Sequence, residues 1–323
     1  MSHGRLQLPK KIFANALALV AATLGNVALA AGPASANLAS TPPTTPPTTV
    51  VQYKADLVKA AATKFLPRNL VTPLAHVTNK NALYQTGCHS SGTQPGVSAL
   101  PCTFATTASS SSIWLIGDSH AAQWFPAVEA YAKSHGASLT VHTKSSCPIM
   151  AGVPTAPHTS KPYLACKEYN DWILTELQRA KPDLLVVAGY QGIQRLYLPQ
   201  VSLGLDRVAI YSAHVAILGD TPKQLSLLPP CLKAHQSDIQ TCAPSLDRAY
   251  YPSVTNALTA AARRNGYWYV DTRSWFCTAA ACPPVIANRV VYADATHISI
   301  DAAEYFSNRL AMALNAQTWA PKS

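Results

Sequence analysis

The chain has 323 residues, of which 48% are hydrophobic and 12% are charged, and its formal net charge is +10. This length suits one large or two small domains, and the apolar fraction is sufficient for a buried core. The basic residues are scattered, with no run longer than Arg263-Arg264, so the composition excludes the concentrated basic surface of a typical nucleic-acid-binding protein.

The first 36 residues have the pattern of an export signal. Three basic residues precede a largely apolar run over 12–31, and the Ala-Ser-Ala triplet at 34–36 fits the small-x-small rule for signal peptidase. We therefore predict a signal peptide over 1–36 and an extracytoplasmic protein, either secreted or held in the cell envelope. An uncleaved N-terminal anchor is the alternative, although Asn15 and Asn26 make the run only weakly hydrophobic.

Two segments are predicted to precede the main domain. Residues 37–52 contain a tract rich in proline and threonine, which cannot pack a core and is expected to form an extended linker. The pattern over 53–65 is helical, and residues 67–104 are irregular. We therefore interpret 53–110 as a helical and irregular segment that covers a main domain at 111–323.

Within the main domain, apolar runs alternate with helix-length amphipathic segments. This alternation predicts an α/β fold with a central parallel sheet of about five strands and helices on both faces. The predicted strands cover 113–116, 138–142, 183–188, 214–218 and 267–271. The predicted helices cover 120–135, 166–180, 201–213, 246–265 and 299–314.

Eight cysteines follow the signal, which favours four disulfides formed in an oxidising compartment. A zinc site would require clustered Cys and His separated by two-residue gaps, and this spacing is absent. His142, His158 and His214 also lack the spacing of metal ligands, so we predict no metal and no other cofactor. Pairing in sequence order closes only short loops: Cys88 with Cys102, Cys147 with Cys166, Cys231 with Cys242, and Cys277 with Cys282.

The Gly117-Asp118-Ser119 turn lies where the first predicted strand meets a helix. This is the carboxyl end of a strand, and the ligand-binding and active sites of parallel sheets form at that end. A serine hydroxyl becomes a nucleophile when a base takes its proton and a third group orients that base. Asp294 and His297, separated by two residues in a turn, can face one another and supply both groups. We therefore predict Ser119 as the nucleophile, His297 as the base and Asp294 as its orienter.

Other interpretations of these residues stay open. A nucleophile elbow would require glycine at 121, where this chain has alanine. Gly-Asp-Ser by itself is also an ordinary helix-capping turn, and we expect Asp118 to bond nearby backbone amides. His120 lines the pocket or caps the helix, whereas Trp124 and Tyr190 either stack on a sugar ring or pack in the core.

The motif Gly-Asp-Ser-His at 117–120, together with Asp294-x-x-His297, resembles the SGNH (GDSL-like) hydrolase superfamily. More narrowly, Ser-Ser-Cys-Pro at 145–148 and Leu-Gly-Asp-Thr-Pro at 218–222, with Pro-Cys-Leu further on, resemble the extracytoplasmic SGNH domain of acyltransferase-3 and O-acetyltransferase proteins. The similarity extends over about 111–314. It implies a flavodoxin-like, three-layer α/β/α fold and acyl-ester chemistry on glycans.

The resemblance also implies an oxyanion hole built from a glycine after the second strand and an asparagine after the third. This chain has Ser145 and Ser146 at the first place and Gly189, Tyr190 and Gln191 at the second, without an asparagine. The candidate oxyanion donors are therefore Ser119, whose N–H is free at the helix start, with Ser146 and Gly189. The pocket candidates are Asp118, His120, Tyr190 and Gln191.

These features lead us to expect an exported serine-dependent O-acyltransferase that moves an acyl group, specifically acetyl, to a cell-envelope glycan through an acyl-serine. An acylesterase shares the chemistry until water replaces the sugar hydroxyl, so it is the first alternative. A non-catalytic envelope protein that binds a glycan or a partner is the second. The expected partners of this monomer are an acylated donor and a glycan acceptor, with no nucleic acid. The acyl group is expected to come from a separate protein, such as a membrane acyltransferase, or from a soluble ester.

Overall fold

The computed structural model describes residues 45–92, 102–105 and 111–317. The predicted signal peptide over 1–36 and the first part of the predicted linker, 37–44, lie outside these residues. Within the described ranges, no helix combines the length and the hydropathy that a transmembrane span requires.

The described strands form a seven-stranded sheet and a separate two-stranded hairpin. In the large sheet the five longest strands are parallel, and a short strand at the edge is antiparallel. The strands are β1 (His89–Ser90), β2 (Thr103–Phe104), β3 (Ser112–Gly117), β4 (Ser138–Lys144), β5 (Leu184–Ala188), β6 (His214–Leu218), β7 (Trp268–Val270), β8 (Val285–Ile286) and β9 (Arg289–Val290).

The helices pack on both faces of the large sheet. They are α1 (Val50–Ala62), α2 (Ala82–Thr86), α3 (Ser119–Ala122), α4 (Phe125–Ser134), α5 (Leu164–Ala180), α6 (Gln191–Gln194), α7 (Leu198–Ala209), α8 (Leu228–Ala234), α9 (Leu246–Ala249), α10 (Pro252–Asn265), α11 (Arg273–Phe276), α12 (Ile300–Tyr305) and α13 (Ser307–Asn315). Short 3₁₀ helices cover Leu74–His76 and Ile239–Cys242.

The strand order β1-β4-β3-β5-β6-β7 places the first predicted strand, β3, between the second and the third. This is the flavodoxin-like order, in which the chain leaves the first strand in one direction and later returns on its other side. Gly117 at the end of β3 lies opposite Thr143 of β4 and Ala188 of β5. The predicted parallel α/β/α architecture is therefore confirmed, and the crevice at its switch point lies at the end of β3.

The sheet is larger than the five predicted strands because the segment before residue 111 adds two short ones. Both pair with the outer edge of β4: β1 runs parallel beside Thr143 and Lys144, and β2 runs antiparallel beside Leu139 and Thr140. A disulfide joins the residues that precede them, Cys88 and Cys102. All eight cysteines form the four sequential pairs predicted above.

Two apolar cores lie on opposite faces of the sheet, because successive side chains of a strand point to opposite sides. Ile113 and Leu115 of β3 join the core beneath α4, α12 and α13. Trp114 and Ile116 join the core beneath α5, α7 and α10. The unbroken apolar run of β3 therefore reflects burial on both faces, as its sequence predicts.

The predicted helix over 120–135 is wrong as a continuous element, because it breaks between α3 and α4. Pro126 has no N–H to donate to the carbonyl of Ala122, four residues earlier. That carbonyl instead accepts a hydrogen bond of 2.7 Å from Nδ2 of Asn81. The break separates the turn that carries Ser119 from the longer helix beneath it.

Two more predicted helices are divided, and the first helix begins early. The segment 246–265 breaks before Pro252, which starts α10, and 299–314 breaks at Phe306 between α12 and α13. Helix α1 begins at Val50, inside the predicted linker over 37–52, because Thr49 and Gln52 form a capping box at its start.

Candidate active site

The end of β3 carries Ser119 into the crevice at the switch point. Gly117 has a φ of +141°, and a Cβ at this position would lie only 1.9 Å from the carbonyl oxygen of Ala188. Only glycine permits this approach of β3 to β5, because any side chain would force the two strands apart. The chain then enters α3, and Ser119 at its first position is partly exposed.

Asp118 fixes the turn through its carboxylate and is fully buried. Its Oδ1 accepts a hydrogen bond of 2.8 Å from the N–H of His120, and its Oδ2 accepts one of 2.8 Å from the N–H of Tyr190. Burial raises the pKa of this carboxyl to about 6. The expectation that Asp118 bonds backbone amides thus agrees with its contacts, which join the end of β3 to the end of β5.

Ser119, His297 and Asp294 form a continuous chain of hydrogen bonds. Oγ of Ser119 lies 2.8 Å from Nε2 of His297, and Nδ1 of His297 lies 2.8 Å from Oδ2 of Asp294. When Nδ1 carries the proton and donates a hydrogen bond to Asp294, Nε2 is the acceptor for the serine hydroxyl. This is the arrangement of a nucleophile, a base and an orienting carboxylate.

The loop that carries His297 is held by local and distant hydrogen bonds. Oδ1 of Asp294 accepts bonds of 2.8 Å from the N–H groups of Thr296 and His297, so the carboxylate closes its own turn. Oε1 of Gln123, just after α3, accepts a bond of 2.8 Å from the N–H of Ile298. Gln123 therefore ties the histidine loop to the helix that begins with the serine.

The electrostatic surroundings favour a neutral His297 and an ionised Asp294. Burial lowers the pKa of His297, a nearby His120 lowers it further, and the hydrogen bond to Asp294 only partly opposes these effects. Burial alone would raise the pKa of Asp294, but hydrogen bonds from His297 and Thr296 outweigh it and hold that pKa well below its usual value. His297 can therefore accept a proton near neutral pH.

A second histidine and carboxylate pair lies beside the first, and the sequence analysis assigned no role to its carboxylate. Nδ1 of His120 lies 2.6 Å from Oδ1 of Asp220, and both side chains are almost completely buried. The His120 ring lies 4.7 Å from the His297 ring and stacks on Tyr190 at 4.5 Å. The position of Asp220 directly after the fourth predicted strand is the signal that could have identified it.

Gln191 does not line the crevice, contrary to its prediction as a pocket residue. It is 2% exposed, and its Oε1 accepts a bond of 2.8 Å from the N–H of Tyr251. Its Nε2 donates to the carbonyl oxygens of Thr221 and Ala249, at 2.9 and 3.3 Å. Both polar atoms of the Gln191 amide are therefore hydrogen-bonded to backbone groups inside the protein.

The two aromatic candidates have different surroundings. Trp124 is fully buried and packs edge-on against Trp275 and Phe276, so the core interpretation applies to it. Tyr190 is half-buried, and its ring lies between the His120 ring and the backbone of Gly192. The sugar-stacking interpretation of Tyr190 therefore stays a prediction.

The three candidate oxyanion positions follow three adjacent strands: Ser146 follows β4, Ser119 follows β3 and Gly189 follows β5. Ser146 has a φ of +54°, the left-handed region that favours glycine. Ser145 is used differently, because its Oγ lies 2.8 Å from Nε2 of His89 at the edge of the sheet. Ser146 thus adopts a glycine-like backbone where the superfamily pattern places glycine.

A shallow cleft with both polar and apolar lining residues adjoins His297. One wall comes from the segment before β1, where Nζ of Lys80 lies 3.8 Å from Oδ2 of Asp294 and 5.5 Å from the centre of the Tyr84 ring. The lining residues are Asn79, Lys80, Asn81, Tyr84, Gln123, Ala293, His297, Ile298 and Ile300. The part of the chain that the structure describes contains no group of three or more His, Cys, Asp or Glu side chains placed to hold a metal ion.

Comparisons with known proteins agree with the family and the fold expected from the sequence. Residues 87–311 match the family model described as the SGNH domain fused to AT3 domains. The periplasmic domain of a lipopolysaccharide acetyltransferase from Salmonella ser. Paratyphi A aligns with a TM-score of 0.56 and 15% identity, over 76% of this chain and 98% of that chain. A search of curated protein sequences found no match.

Two carbohydrate esterases of family two align less well. The enzyme from Myceliophthora fergusii has a TM-score of 0.37 and 17% identity, over 66% of this chain and 68% of that chain. An active-site mutant of the enzyme from Clostridium thermocellum has a TM-score of 0.39 and 11% identity, over 66% of this chain and 65% of that chain. Because the family model matches well over half of the chain, from β1 into α13, the protein belongs to the family of SGNH domains that are fused to AT3 domains.

Proposed function

We propose that this chain is an extracytoplasmic serine-dependent O-acyltransferase that moves an acyl group, specifically acetyl, to a hydroxyl of a cell-envelope glycan. The observation that carries the proposal is the hydrogen-bonded series of Ser119, His297 and Asp294 at the end of β3, with 2.8 Å at each step. The similar Salmonella domain, described as part of a lipopolysaccharide acetyltransferase, supports the choice of transfer to a glycan. The four disulfides support an oxidising compartment.

In the first step, Oγ of Ser119 attacks the carbonyl carbon of the acyl donor while Nε2 of His297 takes the hydroxyl proton. The carbonyl electron pair moves onto its oxygen and forms a tetrahedral oxyanion. When this intermediate collapses, the bond to the donor oxygen breaks and His297 returns the proton to that oxygen. Asp294 stabilises the transient imidazolium through Nδ1, and Ser119 is left acylated.

In the second step, a sugar hydroxyl enters the cleft beside His297 and donates its proton to Nε2. The sugar oxygen attacks the acyl carbon, the bond to Oγ of Ser119 breaks, and His297 returns the proton to the serine. The wall that contains Lys80 and Tyr84 supports a sugar acceptor, since it offers a cation and a partly exposed ring. A membrane acyltransferase is the proposed source of the acyl group.

An acylesterase of the same fold is the second candidate. Water in place of the sugar hydroxyl completes the same cycle as hydrolysis. The observation that favours it is exposure: the His297 side chain is 22% exposed and Ser119 is partly exposed, so water reaches both. The two functions separate only at the acceptor step.

The test uses the exported protein with p-nitrophenyl acetate, with and without an oligosaccharide acceptor, and measures both nitrophenol and acylated sugar. Ser119→Ala and His297→Ala should each lower nitrophenol release by roughly 10³-fold or more, because each removes a partner of the same step. Ser134→Ala, at the exposed end of α4, is the matched control.

Acylated sugar formed by the wild type and by the control would support the transferase, whereas nitrophenol without sugar product would support the esterase. A fluorophosphonate probe that labels wild type but not Ser119→Ala would show an activated serine independently of any acceptor. Equal release and equal labelling by all variants would contradict both enzymes and favour a glycan-binding protein.

A further inference from the structure

A buried histidine and a buried carboxylate that the proposed mechanism does not use join two of the sequence motifs. His120 belongs to Gly-Asp-Ser-His at 117–120, and Asp220 belongs to Leu-Gly-Asp-Thr-Pro at 218–222. Nδ1 of His120 lies 2.6 Å from Oδ1 of Asp220, and the two side chains are 2% and 3% exposed. The pair therefore ties the turn that carries Ser119 to the loop that follows β6.

Backbone N–H groups hold the Asp220 carboxylate in place. Its Oδ1 accepts a hydrogen bond of 2.7 Å from the N–H of Thr221, and its Oδ2 accepts one of 2.8 Å from the N–H of Gln191. The distance from this carboxylate to His120 is as short as that of a charge-assisted hydrogen bond. The position of the carboxylate therefore fixes the position of the His120 ring.

The surroundings of His120 favour its charged form. Burial alone would lower the pKa of His120, but the charge and the hydrogen bond of Asp220 outweigh it, and the charges of Asp118 and Asp294 add to them, so this pKa is raised. Both ring nitrogens of an imidazolium are donors, yet Nε2 of His120 has no hydrogen-bond partner among the described residues. A buried donor without a partner costs stability, so its presence one residue after the nucleophile favours a role beyond packing.

The His120 ring lies directly beside the base. Its centre is 4.7 Å from the centre of the His297 ring, and Nε2 of His297 is 2.8 Å from Oγ of Ser119. Tyr190, whose ring lies 4.5 Å from the His120 ring, is neutral because burial raises its pKa to about 12. Two imidazolium ions at the separation of these histidines repel each other, which makes protonation of His297 harder by roughly 0.5–2 pH units once the opposite charge of Asp220 is allowed for.

The other groups that act on His297 differ from His120. Burial is the largest cause of the lowered pKa of His297, and the hydrogen bond and charge of Asp294 oppose it. Lys80 also lowers this pKa, but its side chain is 45% exposed, so water and salt screen its charge. His89 is neutral near pH 7, because burial lowers its pKa to about 4. His120 is therefore the buried cation among the groups that act on the base.

We propose that His120 and Asp220 are positioning residues for the reaction, because their buried ion pair places a fixed positive charge beside His297. This charge keeps the base unprotonated in the resting protein and sets the lowest pH at which His297 can take the proton of Ser119. The inference rests on the proposed function, because His297 is the base of that reaction.

The test measures the protonation of His297 directly, by NMR of isotopically labelled histidine, and follows the pH dependence of kcat/KM for p-nitrophenyl acetate in parallel. His297→Ala identifies the signal. His120→Gln removes the cation, and Asp220→Asn removes the carboxylate that keeps His120 charged. Each should raise the pH at which His297 is half-protonated by roughly 0.5–2 units, and the pH of half-maximal kcat/KM should rise with it.

His142→Gln is the matched control. His142 is also a buried histidine, and its ring packs against Trp114 and Trp172. Burial lowers its pKa to about 4, so it is neutral near pH 7 and its replacement removes no charge. The titration of His297 should therefore be the same in this variant as in the wild type.

The outcomes separate this inference from the proposed function. If the wild type neither hydrolyses the ester nor reacts with the fluorophosphonate probe, the proposed function fails and the inference about its base fails with it. If the wild type is active but His297 titrates at the wild-type pH in a folded His120→Gln or Asp220→Asn protein, the inference alone is overturned. An equal upward shift in His142→Gln would also overturn it, because the effect would not come from the charge at His120. Thermal unfolding accompanies each titration, and if His120→Gln does not fold, the isosteric Asp220→Asn decides.

Discussion

Replacing Gly117 by alanine tests whether the close approach of β3 and β5 positions the nucleophile. The added Cβ would lie 1.9 Å from the carbonyl oxygen of Ala188 and 3.0 Å from Cβ of Ala121. Real Cβ contacts essentially never fall below 3.0 Å, so the strands must separate by about 1 Å at this point. Ser119, two residues further on, must move with the end of β3.

Two costs add in the Gly117→Ala protein. The φ of +141° is strained for any residue with a side chain, at about 1–3 kcal/mol. Overpacking between two buried strands lowers the free energy of unfolding by about 1–3 kcal/mol more. We therefore expect the free energy of unfolding to fall by roughly 2–6 kcal/mol. A displacement of about 1 Å at a reacting group lowers its rate by roughly 10²-fold, so fluorophosphonate labelling of Ser119 should slow by about that factor.

Guanidinium unfolding followed by circular dichroism measures the first effect, and the labelling rate measures the second. Gly136→Ala is the matched control, because Gly136 has a φ of +60° but no atom within 4 Å of its Cβ position. It should lose only about 1 kcal/mol, the backbone cost of alanine at a positive φ, and should label at the wild-type rate. If Gly117→Ala is as stable as Gly136→Ala and labels within threefold of the wild type, the steric argument is refuted.

Two further predictions concern pH and the disulfides. Ester hydrolysis should decline as the pH falls, with its half-maximal rate below pH 6.5, because His297 acts only when neutral and burial lowers its pKa from that usual value. The dependence of kcat/KM on pH measures this decline. A half-maximal kcat/KM at or above pH 7 would contradict the lowered pKa assigned to the buried His297. Replacing both Cys147 and Cys166 by alanine should lower the free energy of unfolding by about 3 kcal/mol, because this disulfide closes a separation of 19 residues. Denaturant unfolding measures this loss. If the double variant unfolds at the same denaturant concentration and with the same m-value as the wild type, the disulfide does not stabilise the fold.

The sequence by itself determined the features that depend on local patterns. Apolar runs identify the five parallel strands, because strand burial is expressed in consecutive residues. The nucleophile turn at Ser119 and the pair formed by Asp294 and His297 are each contained in a few neighbouring residues. The local geometry of each turn therefore follows from short-range backbone rules. The contact between the Ser119 turn and the His297 loop, however, depends on the order of the strands.

Only the tertiary structure decided which distant side chains share a partner. Asp220 reaches His120 across 100 residues, and Asn81 takes the carbonyl that the break at Pro126 leaves free. Gln191 and Gln194 lie in one short helix, yet the amide of Gln191 is bonded inside the protein, whereas Oε1 of Gln194 has no hydrogen-bond partner among the described residues. Such differences depend on the direction of each side chain and on which backbone groups other segments leave unsatisfied. No local pattern records these, because they arise only when the whole sheet and its loops are assembled.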